Sequence, residues 1–373
     1  MWDALIIGAG AAGSYCALTA AGRGRRVALL EKNGQLGAKI RVSGGGRCNL
    51  TNLNLSSANY LSANPHFCRG ALSRHRPEDF LDWLRAQGLD TEEKAPGQLF
   101  CRQKSRGLIA ALEEALQRAG VTLFYHEAAE RVVWADDHFL INDRHRARRL
   151  VVASGSPAYP KLGASDWALR LAKQFGIKNT PFTPALVPLL LPAPWPELSG
   201  LSTEVVGWTG PSPRYRDSLL FSHRGLSGPV ILQLSSHWQR GASLWLNFLP
   251  EGPPPLPPTA TLAKALTAVL PARLAATLAP EPKPLAQWRK ADLNAALARL
   301  QAWPFQPSGT EGMHRAEVCR GGIDTRELDP RTLAVKRFPA LHFIGEAVDV
   351  TGELGGYNLQ WAWSSGWVCG QAL

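Results

Sequence analysis

The sequence predicts an α/β protein in which the two ends of the chain build one parallel-sheet domain and the middle is inserted into it. Three observations carry this prediction. An apolar strand, a glycine-rich turn and a small-residue helix open the chain. A strand ending in Gly-Glu, a glycine pair and a last helix close it. Between them, residues 184–307 change to short strands, a proline run and Ala/Leu-rich helices.

Asp3-Ala4-Leu5-Ile6-Ile7 reads as the first strand, and Gly8-Ala9-Gly10-Ala11-Ala12-Gly13 leads into a helix through Gly22. Val27-Ala28-Leu29-Leu30 is the next strand and ends on Glu31, eighteen residues beyond Gly13. This is G-x-G-x-x-G in the context that gives it meaning: strand before, helix after, acid at the end of the following strand. Gly8 permits the tight turn, Gly10 lets backbone approach a pyrophosphate, and Gly13 lets helix pack on strand. The helix N-terminus offers free N–H groups and partial positive charge to that pyrophosphate. Glu31 can accept from a ribose diol and argues against a 2′-phosphate. Residues 4–22 carry no charge, but no basic residue precedes them and four glycines interrupt them. A signal peptide or membrane span is therefore not expected, and the chain is read as starting inside the fold.

At 373 residues, 45% hydrophobic and 19% charged, the chain has room for two or three ordinary globular domains. Its six cysteines form no C-x-x-C pair, which suggests a reducing, cytoplasmic setting without structural zinc; no metal is expected. Forty-one basic residues against thirty acidic give +11, a field able to draw anions. The densest runs, residues 23–26 and 144–149, precede apolar strands and lack interleaved aromatic residues, so solvated loops are expected there. A small-molecule substrate is the expectation, and nucleic acid is not expected as a partner.

Ser43-Gly44-Gly45-Gly46-Arg47-Cys48-Asn49 reads as a ligand-hugging loop with polar ends. Residues 78–88 and 104–119 read as amphipathic helices, 121–125 as a strand, and 131–134 with 138–141 as a hairpin. Residues 150–155 give a buried strand ending in a small-residue turn. The short strands of residues 184–250 fit a small β-barrel. Pro229 marks a helix start, and His223 is the histidine best placed for proton transfer. Residues 250–258 form a proline-rich linker, and 259–302 a broken helical cap. Gly355-Gly356 before the last helix would aim N–H groups and the helix dipole at an electron-rich ring. That suits a flavin, so the two ends of the chain are expected to build one FAD site.

Taken with Thr183-Pro184-Ala185-Leu186-Val187-Pro188-Leu189 and Gly355-Gly356-Tyr357-Asn358-Leu359-Gln360-Trp361-Ala362-Trp363, these motifs resemble the bacterial FAD-dependent oxidoreductase family of the BaiN/YhiN, aminoacetone-oxidase-like type. The resemblance runs over nearly the whole chain. It implies a Rossmann-like FAD domain split by a β-barrel and a helical insert, acting on small organic molecules by amine oxidation or by enone reduction with NAD(P)H. Ala153-Ser154-Gly155-Ser156 departs from the family's usual Ala-Thr-Gly-Gly.

The expected boundaries are 1–183 and 308–373 for the FAD domain, 184–252 for the barrel and 253–307 for the helices. The expected FAD contacts are Gly8, Ala9, Gly10, Ala11, Ala12, Gly13, Glu31, Lys32, Lys39, Ser43, Gly44, Gly45, Arg47, Cys48, Asn49 and Val132 from the first half of the chain. Ala153, Ser154, Gly155, Gly345, Glu346, Asp349, Gly355, Gly356, Tyr357, Asn358 and Leu359 complete them. Tyr357 and His223 are the candidate proton donors. The expected reaction is hydride transfer at flavin N5, linked to NAD(P)H or oxygen; a flavoprotein acting on RNA or a flavin redox sensor are the alternatives.

Overall fold

The structure is a computed structural model describing residues 1–373. It divides into two compact units: Met1–Thr183 with Val318–Leu373, and Pro184–Glu317.

In the first unit the parallel strands lie in the order Phe338–Phe343, His145–Val152, Trp2–Ile7, Val27–Glu31, Thr122–Tyr125, with Ala334–Val335 added antiparallel at one edge. Strands buried on both faces need apolar residues at every position, and Ala4, Leu5 and Ile6 are fully buried. The chain runs outward from the first strand to the second and third, then crosses to its other side. Its order therefore reverses between Trp2–Ile7 and His145–Val152, and the crevice outside their carboxyl ends is where such sheets bind ligands. There the Ala153 N–H donates to the Ile7 carbonyl at 2.8 Å, and the Gly8 N–H to the Leu30 carbonyl at 2.8 Å.

The first helix, Ala11–Ala21, crosses the last, Tyr357–Ala372. A Cβ on Gly366 would stand 2.5 Å from the Ala12 carbonyl oxygen, so only hydrogen fits where the two backbones meet. Trp363, fully buried on the last helix, stacks on Phe80 at 4.2 Å and donates to the Leu50 carbonyl. Helices Pro77–Ala86 and Lys104–Arg118 and the hairpin Val132–Ala135/His138–Ile141 stand within a few residues of their predicted bounds.

The arginine run departs from expectation. Residues 145–149 are not a loop but the start of the strand His145–Val152. His145 and Ala147 are buried while Arg146 and Arg148 are exposed, so period-two alternation lets the arginines share a strand with core residues. A three-stranded sheet, Asn49–Asn52, Gln98–Cys101 and Thr91–Ala95, was also not foreseen.

The second unit holds an antiparallel sheet in the order Trp303–Phe305, Leu244–Asn247, Ser202–Trp208, Tyr215–Ser222, Gly225–Ser227, Leu189–Leu190, Gly309–Thr310. Laid flat, seven strands would span roughly 29 Å. The edge strands are joined by only three residues, which reach at most about 14 Å. The sheet must therefore curl towards itself. Leu219, Phe221 and Leu246 fill its inside, with Leu266 and Leu274 from helices Leu262–Leu266 and Ala272–Leu278 in the same cluster. Pro229 is the first residue of helix Pro229–Ser235. No helix of the structure is long and apolar enough to cross a membrane.

Candidate functional site

The nucleotide end of the site is built from the first turn. Gly13 permits helix and strand to touch, since a Cβ there would stand 1.9 Å from the Gly8 carbonyl oxygen. Gly10 caps helix Ala11–Ala21, whose first N–H groups have no partner within the helix. Just inside it, the Ser14 hydroxyl is buried without a partner. Glu31 is 8% exposed and fixed by its own neighbourhood. Its Oε2 accepts from the Ala9 N–H at 2.9 Å and its Oε1 from the Asn33 N–H at 2.8 Å. A carboxylate has about four acceptor sites, which leaves capacity for a ribose diol. Lys32 lies against Gly163, and Asn33 donates to the Leu162 carbonyl, so the turn Pro160–Leu162 borders this end. Val132 opens the hairpin and accepts from Gln174 through its carbonyl.

The opposite end joins residues 43–52 to residues 345–360. Ser43, Gly44 and Gly45 lie in the turn Ser43–Gly46, with the Ser43 hydroxyl on the Ile40 carbonyl. Arg47 is exposed over the Phe100 ring. Cys48 is fully buried, and burial pushes its thiol up to about 12. Gly356 caps helix Tyr357–Ala372 with φ +102°, a conformation open to glycine alone at little cost. A Cβ there would also meet the Thr51 carbonyl oxygen at 2.5 Å and Asn49 Oδ1 at 2.9 Å. The strand Asn49–Asn52 grips this turn through three hydrogen bonds. Asn52 Nδ2 donates to the Gly355 carbonyl at 3.0 Å, the Thr51 hydroxyl to Gln360 Oε1 at 2.6 Å, and Trp363 Nε1 to the Leu50 carbonyl. The free N–H groups of Tyr357, Asn358 and Leu359 are thereby held at a positive helix end.

Asn358 is occupied by its own loop: its side chain accepts from the Gly352 N–H and donates to the Gly352 and Glu353 carbonyls. Tyr357 donates its hydroxyl to the Asn54 carbonyl at 3.3 Å, and burial raises its pKa. Glu346 follows the strand Phe338–Phe343; its Oε2 takes Lys39 Nζ at 2.6 Å and its Oε1 the Cys319 N–H at 3.1 Å. Ala153, Ser154 and Gly155 form the turn after the strand His145–Val152, with Gly155 beside Glu346. Gly345 packs on Ala12, which joins the chain's two ends. Asp349 accepts from the Ala63 N–H, and burial raises its pKa. His223 stands apart from all of these in the sequence, on an exposed turn of the second unit.

Buried polar atoms without partners are rare in folded proteins. Of the eight side-chain atoms of this kind, four lie in or within a few residues of these glycine-rich turns: Ser14 Oγ, Arg41 Nε, Asn49 Oδ1 and Ser154 Oγ. A cradle with missing Cβ atoms and unanswered donors and acceptors fits a long, flat, anionic dinucleotide such as FAD. Sequence reasoning passed over Ser14 and Arg41. Ser14 directly follows the fingerprint and could have been found, whereas nothing in the sequence marks Arg41.

A doubly wound sheet with this cradle at its switch point defines a flavoprotein of the FAD-dependent oxidoreductase class. Residues 2–372 match the family model described as HI0933-like protein Rossmann domain, and the chain belongs to that family. It is 40% identical over 392 residues to the ribosomal RNA dihydrouridine synthase of Escherichia coli K12, covering 100% of this chain and 98% of that protein. It is 30% identical over 406 residues to the 3-dehydro-bile acid delta(4,6)-reductase of Clostridium scindens, covering 98% of each. Among solved structures, the 3-ketosteroid-delta4-(5alpha)-dehydrogenase of Rhodococcus jostii RHA1 shares the fold, with TM-score 0.52 at 15% identity, over 99% of this chain and 96% of that one.

One expectation is overturned. The sequence led us to expect a small-molecule substrate and no nucleic acid, yet the relative at 40% identity is named for a ribosomal RNA substrate. The small-molecule expectation followed the family resemblance, whose members differ in substrate, and the arginine runs alone did not point to RNA.

Proposed function

We propose that this protein is a flavin-dependent reductase of uridine in ribosomal RNA. The observation that carries the reading is the end-to-end 40% identity to a ribosomal RNA dihydrouridine synthase. The net charge of +11 supports it, since a polyphosphate partner is drawn by such a field. The chemistry is of one kind with that named for the bile-acid relative: a carbon–carbon double bond conjugated to a carbonyl is saturated.

When bound and reduced by NADPH or NADH, the flavin would supply a hydride for the carbon β to the carbonyl, and the adjacent carbon would take a proton. The chain's part is to hold and polarise. Glu31 would hold the ribose diol, the N–H groups at Gly10–Gly13 the pyrophosphate, and those of Tyr357–Leu359 would stabilise negative charge on the reduced ring. Lys39 and Glu346 border the same crevice as a fixed ion pair. Tyr357 is the proton donor that shares a unit with these residues, its proton resting on the Asn54 carbonyl. NADPH or NADH is the donor in this reading, in a reducing cytoplasm that suits six free, buried cysteines.

The test is direct. Flavin-loaded protein is incubated anaerobically with NADPH or NADH and unmodified ribosomal RNA transcribed in vitro, and the digested nucleosides are weighed by mass spectrometry. Dihydrouridine, two hydrogens heavier than uridine, is the expected product. Its absence with a flavin that bleaches normally would overturn the RNA reading; a flavin that stays oxidised would overturn the nicotinamide donor.

A further inference from the structure

The strand Leu244–Asn247 alternates: Leu244 and Leu246 are fully buried, while Trp245 and Asn247 are partly exposed on the outer face. Trp245 pairs with Trp208 on one side and Pro304 on the other, so both indoles stand on that outer face in one cross-strand row. Outward tryptophans usually lie down on a core edge. Neither of these does: the residues packed against the two hydrophobic clusters include other tryptophans, but not Trp208 or Trp245. The Arg214 guanidinium carbon lies 4.4 Å from the Trp208 ring centroid. Arg216, two residues on, is instead neutralised by Glu204 and Glu251, both at 2.6 Å. The Thr209 hydroxyl donates to the Ser243 carbonyl at 2.8 Å. This ties the loop carrying Arg214 to the loop carrying the exposed Arg240, at the end of the sheet where the tryptophans stand.

We propose that Trp208 and Trp245, with Arg214 lying over the Trp208 ring, form a platform on which unpaired bases of RNA stack. Every base has a π face, so such a platform holds single strands with little sequence preference; Arg214, lying over the Trp208 ring, extends the stack with its planar cation and can meet the phosphate. The arginine runs of the sequence lack interleaved aromatics; strand pairing assembles that interleaving here from residues 208, 214 and 245. The inference rests on the RNA reading above and adds where the RNA is held.

The probe is a fluorescein-labelled twelve-nucleotide oligouridylate at low salt, read by anisotropy. Trp208→Ala and Trp245→Ala are each expected to weaken binding about ten-fold, and the phenylalanine variants to retain most of it. Arg214→Ala should lower the slope of log affinity against log salt by about one contact. Flavin content and reduction by dithionite should not change in any of them. Folded alanine variants that bind as tightly as wild type would overturn the platform, even if the wild-type protein makes dihydrouridine. Wild-type protein that binds RNA through these residues but makes no dihydrouridine would instead overturn the catalytic reading and leave the platform standing.

Discussion

Replacing Gly356 by alanine should loosen the grip on the flavin and destabilise the first unit together. An L-residue at φ +102° costs about 1–3 kcal/mol of backbone strain. The new Cβ would also stand 2.5 Å from the Thr51 carbonyl oxygen and 2.9 Å from Asn49 Oδ1. The Asn49 amide can rotate aside, but the Thr51 carbonyl is backbone, so the turn must move off the strand Asn49–Asn52, at about 1–3 kcal/mol more for overpacking. A total near 4 kcal/mol corresponds to a fall in Tm of about 8–16 °C for a unit of this size. The same movement swings the N–H groups of Tyr357–Leu359, so flavin retention should fall with stability. Thermal unfolding followed by flavin fluorescence, with the flavin-to-protein absorbance ratio after gel filtration, reads both. A Gly356→Ala protein with full flavin and a Tm within about one degree of wild type would refute the reasoning: the turn would then be free to yield.

Glu31→Ala removes the acceptor shared by the Ala9 and Asn33 N–H groups and should weaken FAD binding at least about ten-fold, measured by flavin fluorescence quenching on titration of apoprotein; unchanged affinity contradicts the assigned role. His75 is buried and stacked on Trp367, and burial lowers its pKa from 6.5 to about 4. The unfolded chain therefore takes this proton first. The stability gained by burying a neutral ring is complete above the unfolded value and is lost as pH falls towards the folded one, by at most about 3 kcal/mol. His75→Phe should flatten that part of the curve of urea midpoint against pH, and an unchanged slope would count against it. Cys48, its thiol pushed up to about 12 by burial, should resist thiol reagents in the native protein at pH 8, and Cys48→Ser should reduce substrate at a rate of the same order as wild type.

The parts of this protein that were legible in its sequence are those where chemistry dictates residue type. The turn Gly8 to Gly13 must be glycine at set spacings whatever surrounds it, and Glu31 must follow at the end of the next strand. The closing Gly355-Gly356 reads in the same way. Elements whose residues satisfy two masters were not legible. His145–Val152 begins with arginines because only one face of its first half is buried, and a run of charge hides the period of two. Thr91–Ala95 is a strand of mostly charged residues on a sheet edge, held by backbone pairing that leaves no side-chain signature. Partnerships across hundreds of residues were likewise invisible, such as Gly366 with Ala12, and so were nearer ones made only by strand pairing, such as Trp208 with Trp245. The expectation of a small-molecule substrate is overturned by the 40% identity to a protein named for a ribosomal RNA substrate, a relation that no local motif displays.

The crossing of the first and last helices has a consequence for how the protein is made. Ala12 emerges from the ribosome well before Gly366, and the two meet only roughly 20–70 s later at ordinary elongation rates. Until then the nucleotide-binding turn lacks the surface that backs it, and Gly356 and its helix do not exist. The segment Pro184–Glu317, whose core is drawn from one continuous stretch, can be complete while its host is still waiting for its other half. Flavin capture through this helix is therefore expected to wait until residues 357–372 have been made, and a chain cut before Gly366 should fold its insert and hold no flavin.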